Sequence, residues 1–206
     1  MYPSQQHLEN YAALAVNVGV NVQQGQTVVV MAPITAAPLV RLIASKAYEA
    51  GAKNVHVEYN DEELSLIKYK KAPEEAFSEY PMWRAKAWEE YVEQGAAFIQ
   101  IYSPNPDLLN GVDPARVATA SKTASAALSG YRGSLMNHTN AWSLISYATP
   151  EWAAKVFPDI APEEAVQKLW ERIIDATRIG LEDPIQAWKE HNAKLLQVVE
   201  LLNRKR

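Results

Sequence analysis

A chain of 206 residues, 48% apolar and 21% charged, is long enough to bury a sizeable core and has the balance of a globular protein. Its formal net charge of −4 gives no reason to expect nucleic acid or an anionic membrane as partner, and no apolar stretch approaches the length of a membrane span. The absence of cysteine excludes disulfides, thiolate metal sites and a cysteine nucleophile, and Met1-Tyr2-Pro3-Ser4 shows no basic-then-apolar leader, so a cytoplasmic location is the expectation.

Residues 7–20 place Leu8, Tyr11, Ala12, Ala15, Val18 and Gly19 at three- and four-residue steps, which predicts an opening helix with a small-residue stripe and Ser4 as its cap. From Gln26 to Glu62 the chain reads as a strand–helix–strand unit around which the rest is arranged. Thr27-Val28-Val29-Val30-Met31 is a β-branched run suited to a strand buried on both faces. Leu39, Leu42, Ile43, Ala47 and Ala50 form one helical face over Pro38–Ala50, and Gly51 follows where a left-handed residue closes a helix. Asn54 to Tyr59 returns as a second strand, parallel to the first through a right-handed crossover.

Asp61 is placed to cap a helix through Leu64, Ile67 and Lys68, with acids in the first turn where the helix dipole favours them. Pro73 and Pro81 punctuate a helical region, Glu74–Tyr80 and Trp83–Gln94. Ala97 to Tyr102 is the third strand, stopped by Ser103-Pro104-Asn105-Pro106-Asp107. Asp113-Pro114 starts an Ala- and Ser-rich helix to about Leu128, a short helix covers Tyr131–Asn137, and Ala141–Tyr147 is the fourth strand. Thr149-Pro150 starts a helix through Val156, and Ala161-Pro162 starts one through Thr177. Asp183-Pro184-Ile185-Gln186 opens the last helix with a capping-box pattern; its apolar positions are Ile185, Trp188, Leu195, Val199 and Leu202, and it ends in the basic Asn203-Arg204-Lys205-Arg206. This alternation predicts one layered α/β domain over residues 1–206, with a mostly parallel sheet of at least four strands flanked by helices.

In open parallel sheets, ligands gather at the carboxyl ends of the strands. Those ends are Ala32-Pro33-Ile34-Thr35, Tyr59 to Glu63, Tyr102-Ser103 and Tyr147 to Thr149, and Glu58, Asp61, Tyr102 and Tyr147 are the candidate lining of a cleft there. The turn after the first strand carries two prolines and no glycine, which makes it a poor phosphate cradle. HExxH, GxSxG and GxxxxGK[ST] are absent, and His7, His56, His138 and His191 are not at metal-ligand spacing, so this segment is expected to bind no metal and to carry no catalytic residue. From Glu58 to Glu93 ten acids stand against five bases, which reads either as solvated helix faces or as an acidic rim for a cationic group such as a peptide's free amine. Most of the tryptophans (Trp83, Trp88, Trp142, Trp152, Trp170 and Trp188) are expected in the core and some as interface anchors. Trp88 follows Arg84 by four residues, within reach of a cation–π contact.

Several blocks resemble the amino-terminal half of the thermophilic-metalloprotease aminopeptidases, the family of aminopeptidase T, aminopeptidase S and PepS. They are Asn21-Val22-Gln23-Gln24-Gly25-Gln26, Ala37-Pro38-Leu39-Val40-Arg41, Ala47-Tyr48-Glu49-Ala50-Gly51-Ala52 and Val57-Glu58-Tyr59-Asn60-Asp61-Glu62-Glu63-Leu64. Further on come Asn105-Pro106-Asp107-Leu108-Leu109, Trp142-Ser143, Thr149-Pro150-Glu151-Trp152 through Phe157-Pro158, and Asp183-Pro184 with Trp188 and His191, all in family order. The resemblance implies a homodimeric exopeptidase that uses two divalent metal ions, zinc or cobalt, to release amino-terminal residues from peptides. It also implies that the Glu, His, Tyr and Asp metal ligands belong to a carboxyl-terminal catalytic domain, the partner that this segment lacks. The segment is then an amino-terminal, cleft-forming domain, inactive alone. Two other readings stay open: a free-standing α/β module that binds a ligand or protein at its strand ends, and an interaction domain that dimerises through exposed tryptophans and the last helix.

Overall fold

The computed structural model describes residues 3–205; Met1, Tyr2 and Arg206, which belong to the terminal stretches read above, lie outside the described residues. Strand β1 (Thr27–Pro33) lies inside a four-stranded sheet ordered β2–β1–β3–β4, with β2 at Asn54–Asn60, β3 at Ala97–Tyr102 and β4 at Trp142–Ser146. Every pairing is parallel: Val28 faces Val55 on one side and Ala97 on the other, and Phe98 faces Trp142. The helices among the described residues are α1 (Gln5–Leu14), α2 (Ala37–Glu49), α3 (Glu62–Lys71), α4 (Met82–Glu93), α5 (Pro114–Ala127), α6 (Ser129–Met136), α7 (Pro150–Val156), α8 (Pro162–Thr177) and α9 (Pro184–Asn203). None is long and apolar enough to cross a membrane.

Val28, Val29 and Val30 are fully buried because helices cover both faces of the sheet. Val28, Val30, Ala97, Ile99 and Ile101 join Tyr11 of α1, Leu39 and Ile43 of α2 and Trp170 of α8 in the main core. Val29 and Phe98 point the other way, to Trp88 of α4 and Tyr131 of α6. The two-residue period of the inner strands β1 and β3 therefore sorts their side chains between two cores. Each fully buried Val or Ile contributes about 1.5–3 kcal/mol through removal of apolar surface from water. This is the expected layered α/β architecture, with all four strands parallel.

The helix starts follow local chemistry. Ser4 closes a capping box with His7, accepting from the His7 N–H at 3.2 Å while its own N–H donates to His7 Nδ1 at 3.4 Å. Asp61, Asp113 and Asp183 cap α3, α5 and α9. In α9 the expected box is only half made: Asp183 accepts from the Gln186 N–H at 2.9 Å, but the Gln186 side chain donates to Glu190 Oε1 at 3.0 Å, one turn further on. Gly51 closes α2 at φ 96°.

Three expectations need correction. The opening helix is not α-helical to Val20; after Leu14 it loosens into a π turn, Ala15–Gly19, with the Val20 N–H donating to the Ala15 carbonyl at 3.0 Å. Gly19 on that turn abuts β4, where an added Cβ would lie 3.2 Å from Ser143 Cβ. Between Pro73 and Pro81 only a 3-10 turn forms, Glu74–Phe77, since the residue before a proline is driven out of helical conformation. Arg84 does not lie over Trp88; it pairs with Glu58 of β2, while Trp88 is buried against Phe98 and Tyr131. Trp170 is also buried and Trp152 and Trp188 are half-buried, whereas Trp83 is 74% exposed and Trp142 38%.

Candidate functional site

The chain leaves β1 through α2 to reach β2, then passes back across β1 to enter β3 on its other side. The loops leaving β1 and β3 therefore part, and a crevice opens above their carboxyl ends. It has a volume of about 230 Å³. Its floor is Pro33 at the end of β1 and Ile34 and Thr35 after it, with Ser103 and Asn105 after β3; one wall is Asn60 to Glu63, leading into α3, and the other is Thr149 with Glu151 at the start of α7.

Each wall is tied down by polar contacts. Asp61 Oδ1 accepts from the N–H groups of Glu63 at 2.9 Å and Leu64 at 3.3 Å. Glu62 Oε1 accepts from the Asn105 N–H at 3.1 Å, which pins the loop after β3 to α3. Asn105 Oδ1 in turn accepts from the Asp107 N–H at 3.0 Å, and the Asp107 carboxylate receives Lys155 Nζ of α7 at 2.9 and 3.1 Å. Lys155, with Asn110 as a second donor, holds the Asp107 carboxyl below its ordinary range. Behind the other wall, the Tyr11 hydroxyl accepts from the Ser146 N–H at 3.0 Å and fixes the chain as it leaves β4 for Thr149. Burial pushes that phenol up to about 12, against the lowering effect of the Ser146 bond.

The lining carries Asp61, Glu62, Glu63 and Glu151, with no Lys, Arg or His among the described residues that form it. Asp61 and Glu62 are committed to backbone N–H groups, whereas the Glu63 and Glu151 side chains stand exposed. Beneath them, Ser103 and Thr149 are only 7% and 8% exposed, and neither hydroxyl has a hydrogen-bond partner. Thr149 occupies the N-cap position of α7 without its side chain capping the helix. A buried polar group left without a partner costs about 1–3 kcal/mol. Two such hydroxyls at one crevice are the least explained polar atoms near the strand ends. The carboxylates do not converge: among the described residues no group of three or more His, Cys, Asp or Glu side chains is placed to hold a metal ion.

Of the four residues read from the sequence as cleft lining, the structure brings Asp61 to the crevice. Glu58 lies on the opposite face of β2, paired with Arg84 in a groove that His56, Trp83 and Tyr91 also line. Tyr102 is 46% exposed at the end of β3, its ring edge-on to Trp152 at 6.5 Å between centroids. Tyr147 packs edge-on against Trp170 at 5.0 Å, with its phenol raised by burial. The strand period carries the signal that separates them. Ile99 and Ile101 face the main core, so Ser103 continues on their side and Tyr102 does not. Ile145 faces the same core, which puts Tyr147 against it. His56 meets Tyr91 of α4, so Glu58, two residues on, shares the α4 face.

A profile of the family described as Thermophilic metalloprotease (M29) matches residues 4–206. Aminopeptidase 2 from Geobacillus stearothermophilus is 60% identical over 201 residues, which cover 98% of this chain and 49% of that protein. Aminopeptidase AmpS from Bacillus subtilis is 49% identical over 198 residues, covering 96% of this chain and 48% of that protein. The solved structure of wild-type AmpT from Thermus thermophilus superposes with a TM-score of 0.88 at 36% identity, over 98% of this chain and 49% of that one. The chain spans about half the length of the relatives that it matches.

Proposed function

This chain belongs to the thermophilic metalloprotease (M29) family, and we propose that it is the amino-terminal, cleft-forming half of a metal-dependent aminopeptidase that releases amino-terminal residues from peptides. One observation carries this reading: nearly the whole chain aligns with about half of proteins named as aminopeptidases. In this reading the metal ligands, for two divalent ions such as zinc or cobalt, come from a carboxyl-terminal domain. Among its strand-end carboxylates Asp61 and Glu62 are turned to backbone N–H groups, and the described residues offer no group of three or more His, Cys, Asp or Glu for a metal, so no hydrolytic step is assigned to them. Its role is to build a wall of the site, acidic and closed on the sheet side, in a cytoplasmic homodimer.

The test is hydrolysis of amino-acid p-nitroanilides with added cobalt or zinc. The 206-residue chain alone is expected to give none, while a polypeptide continuing into a half rich in Glu, His and Asp ligands is expected to turn over. Metal-stimulated turnover by the 206-residue chain, with contaminating peptidases excluded, would overturn the proposal.

A further inference from the structure

We infer that the crevice between β1 and β3 is a binding site for a primary ammonium group, formed by the Ser103 and Thr149 hydroxyls with the exposed Glu63 and Glu151 carboxylates at its rim. The inference does not rest on the half-enzyme reading, since every group it uses lies in this chain.

Two independent observations converge on it. Ser103, after β3, and Thr149, after β4, both line the crevice, are more than nine-tenths buried, and have hydroxyls without a partner. Both oxygens lie below the crevice surface, and the staggered χ1 states of Ser and Thr let each turn towards an incoming donor. The second observation is charge. Asp61, Glu62, Glu63 and Glu151 line the same space with no Lys, Arg or His among the described lining residues, so it attracts a cation and repels an anion.

The kind of cation follows from geometry. A metal ion needs converging oxygen ligands, and the described residues offer no group of three. An ammonium carries three N–H donors and is satisfied by a mixed set of hydroxyl and carboxylate acceptors. The volume of about 230 Å³ is below the ~300–1,000 Å³ of drug-sized pockets and suits one small group. The turn after β1 reinforces the sign, because Pro33 has no N–H and no glycine allows a close approach to an anion.

The source of the ammonium can be the amino end of a peptide or a lysine side chain of a protein partner, and two probes distinguish them. The ¹⁵N-labelled 206-residue chain is titrated below neutral pH with L-alaninamide, with Nα-acetyl-L-lysine amide, and with the uncharged N-acetyl-L-alaninamide. Saturable amide shifts at Asp61, Ser103 and Thr149 with either amine, weakened by salt and absent with the uncharged amide, are expected. Tighter binding of alaninamide identifies the peptide end, and tighter binding of the lysine amide identifies the side chain. Thr149→Val, which removes the hydroxyl and keeps the shape, is expected to weaken the amine about tenfold. Should that variant not give a dispersed spectrum, the exposed Glu63→Gln carries the test, with a loss of about threefold at low salt. No saturable shift with either amine, equal shifts with the uncharged amide, or unchanged affinity in the variants would overturn the inference. A chain that is inactive on p-nitroanilides and also fails to bind amines would overturn this inference alone and leave the half-enzyme reading standing.

Discussion

Tyr11→Phe tests how the wall behind Thr149 is held. The tyrosine is 1% exposed, and its hydroxyl is the acceptor for the Ser146 N–H at 3.0 Å. Phenylalanine keeps the ring in the main core but leaves that N–H without its acceptor, a loss of about 1 kcal/mol at neutral pH. The alkaline limb supplies a sharper signature. Burial raises the phenol from its ordinary 10.0 to about 12 in the folded chain. The unfolded chain therefore releases this proton first, so the contribution is fully present below pH 10 and is lost as pH rises towards 12. At about pH 11 the native protein has lost about 1.4 kcal/mol through this one group. Tyr11→Phe has no such group, so the difference between the two proteins isolates it. Urea unfolding followed by far-UV circular dichroism, at neutral pH and at about pH 11, should show the variant's deficit shrinking by about 1.4 kcal/mol and even changing sign. A deficit identical at the two pH values would refute the claim that a buried phenol ties α1 to the exit of β4.

Other perturbations address the turns and loops that frame the sheet. Gly51→Ala places a Cβ at φ 96° and against the Gln24 side-chain amide, and should cost about 1–3 kcal/mol by urea unfolding with an unchanged m-value. Arg116→Ala removes a guanidinium that pairs with Glu74, donates to the Tyr69 carbonyl at 2.8 Å and lies 5.3 Å from the Phe77 ring centroid. It should cost about 1–3 kcal/mol, and Arg116→Lys should recover only part, because a lysine cannot fork between Glu74 and Tyr69. The Lys155–Asp107 tie, which lowers the Asp107 pKa, is present above the ordinary carboxylate value of 3.8 and is lost as pH falls through the lowered one. Lower hydrogen-exchange protection at Asp107 and Asn110 on acidification, after allowance for the intrinsic slowing of exchange in acid, is the expected readout, and no such change is expected in Lys155→Gln, whose loop is already loose.

The parallel sheet was legible because its strands are local signals: three consecutive valines, a glycine at φ 96° after α2, and aspartates at the caps of α3, α5 and α9 all act within a few residues. The π turn at Ala15–Gly19 was not; it sits where Gly19 abuts Ser143, more than a hundred residues away, a contact that no local pattern announces. Arg84 illustrates the same limit. Its spacing suits Trp88, but the sheet brings Glu58 closer, and a carboxylate outcompetes a ring already buried on its other side. At the candidate site, position along the strands was legible and side was not. Asp61 and Glu58 stand three residues apart, so an odd step separates them, and only the packing of Val57 into the main core reveals which way each turns. Ser103 and Thr149 were visible as strand-end residues, but an unpaired hydroxyl is a property of its surroundings and leaves no trace in sequence.

The crevice occupies the place where an open parallel sheet commonly presents a phosphate site, yet its chemistry runs the other way. An anion there would require free N–H groups on the turn after β1. Pro33 removes one, the turn is tightened into a 3-10 segment at Ile34–Ala36, and α2 then starts with Pro38 in its first turn. The N-terminus of α3, on the opposite wall, does have free N–H groups, but Asp61 caps two of them and Glu62 and Glu63 fill the first turn with negative charge. Those two features that could have welcomed an anion are thus cancelled by residues in the same loops; the uncapped start of α7 remains, set against the lining carboxylates, with two unpaired hydroxyls below that can accept or donate. The carboxylate lining is what selects a cationic, donor-rich ligand. That requirement holds whether the ammonium arrives on a peptide or on a partner's lysine, and it makes Ser103 and Thr149 the residues whose pairing state should change when the crevice is filled.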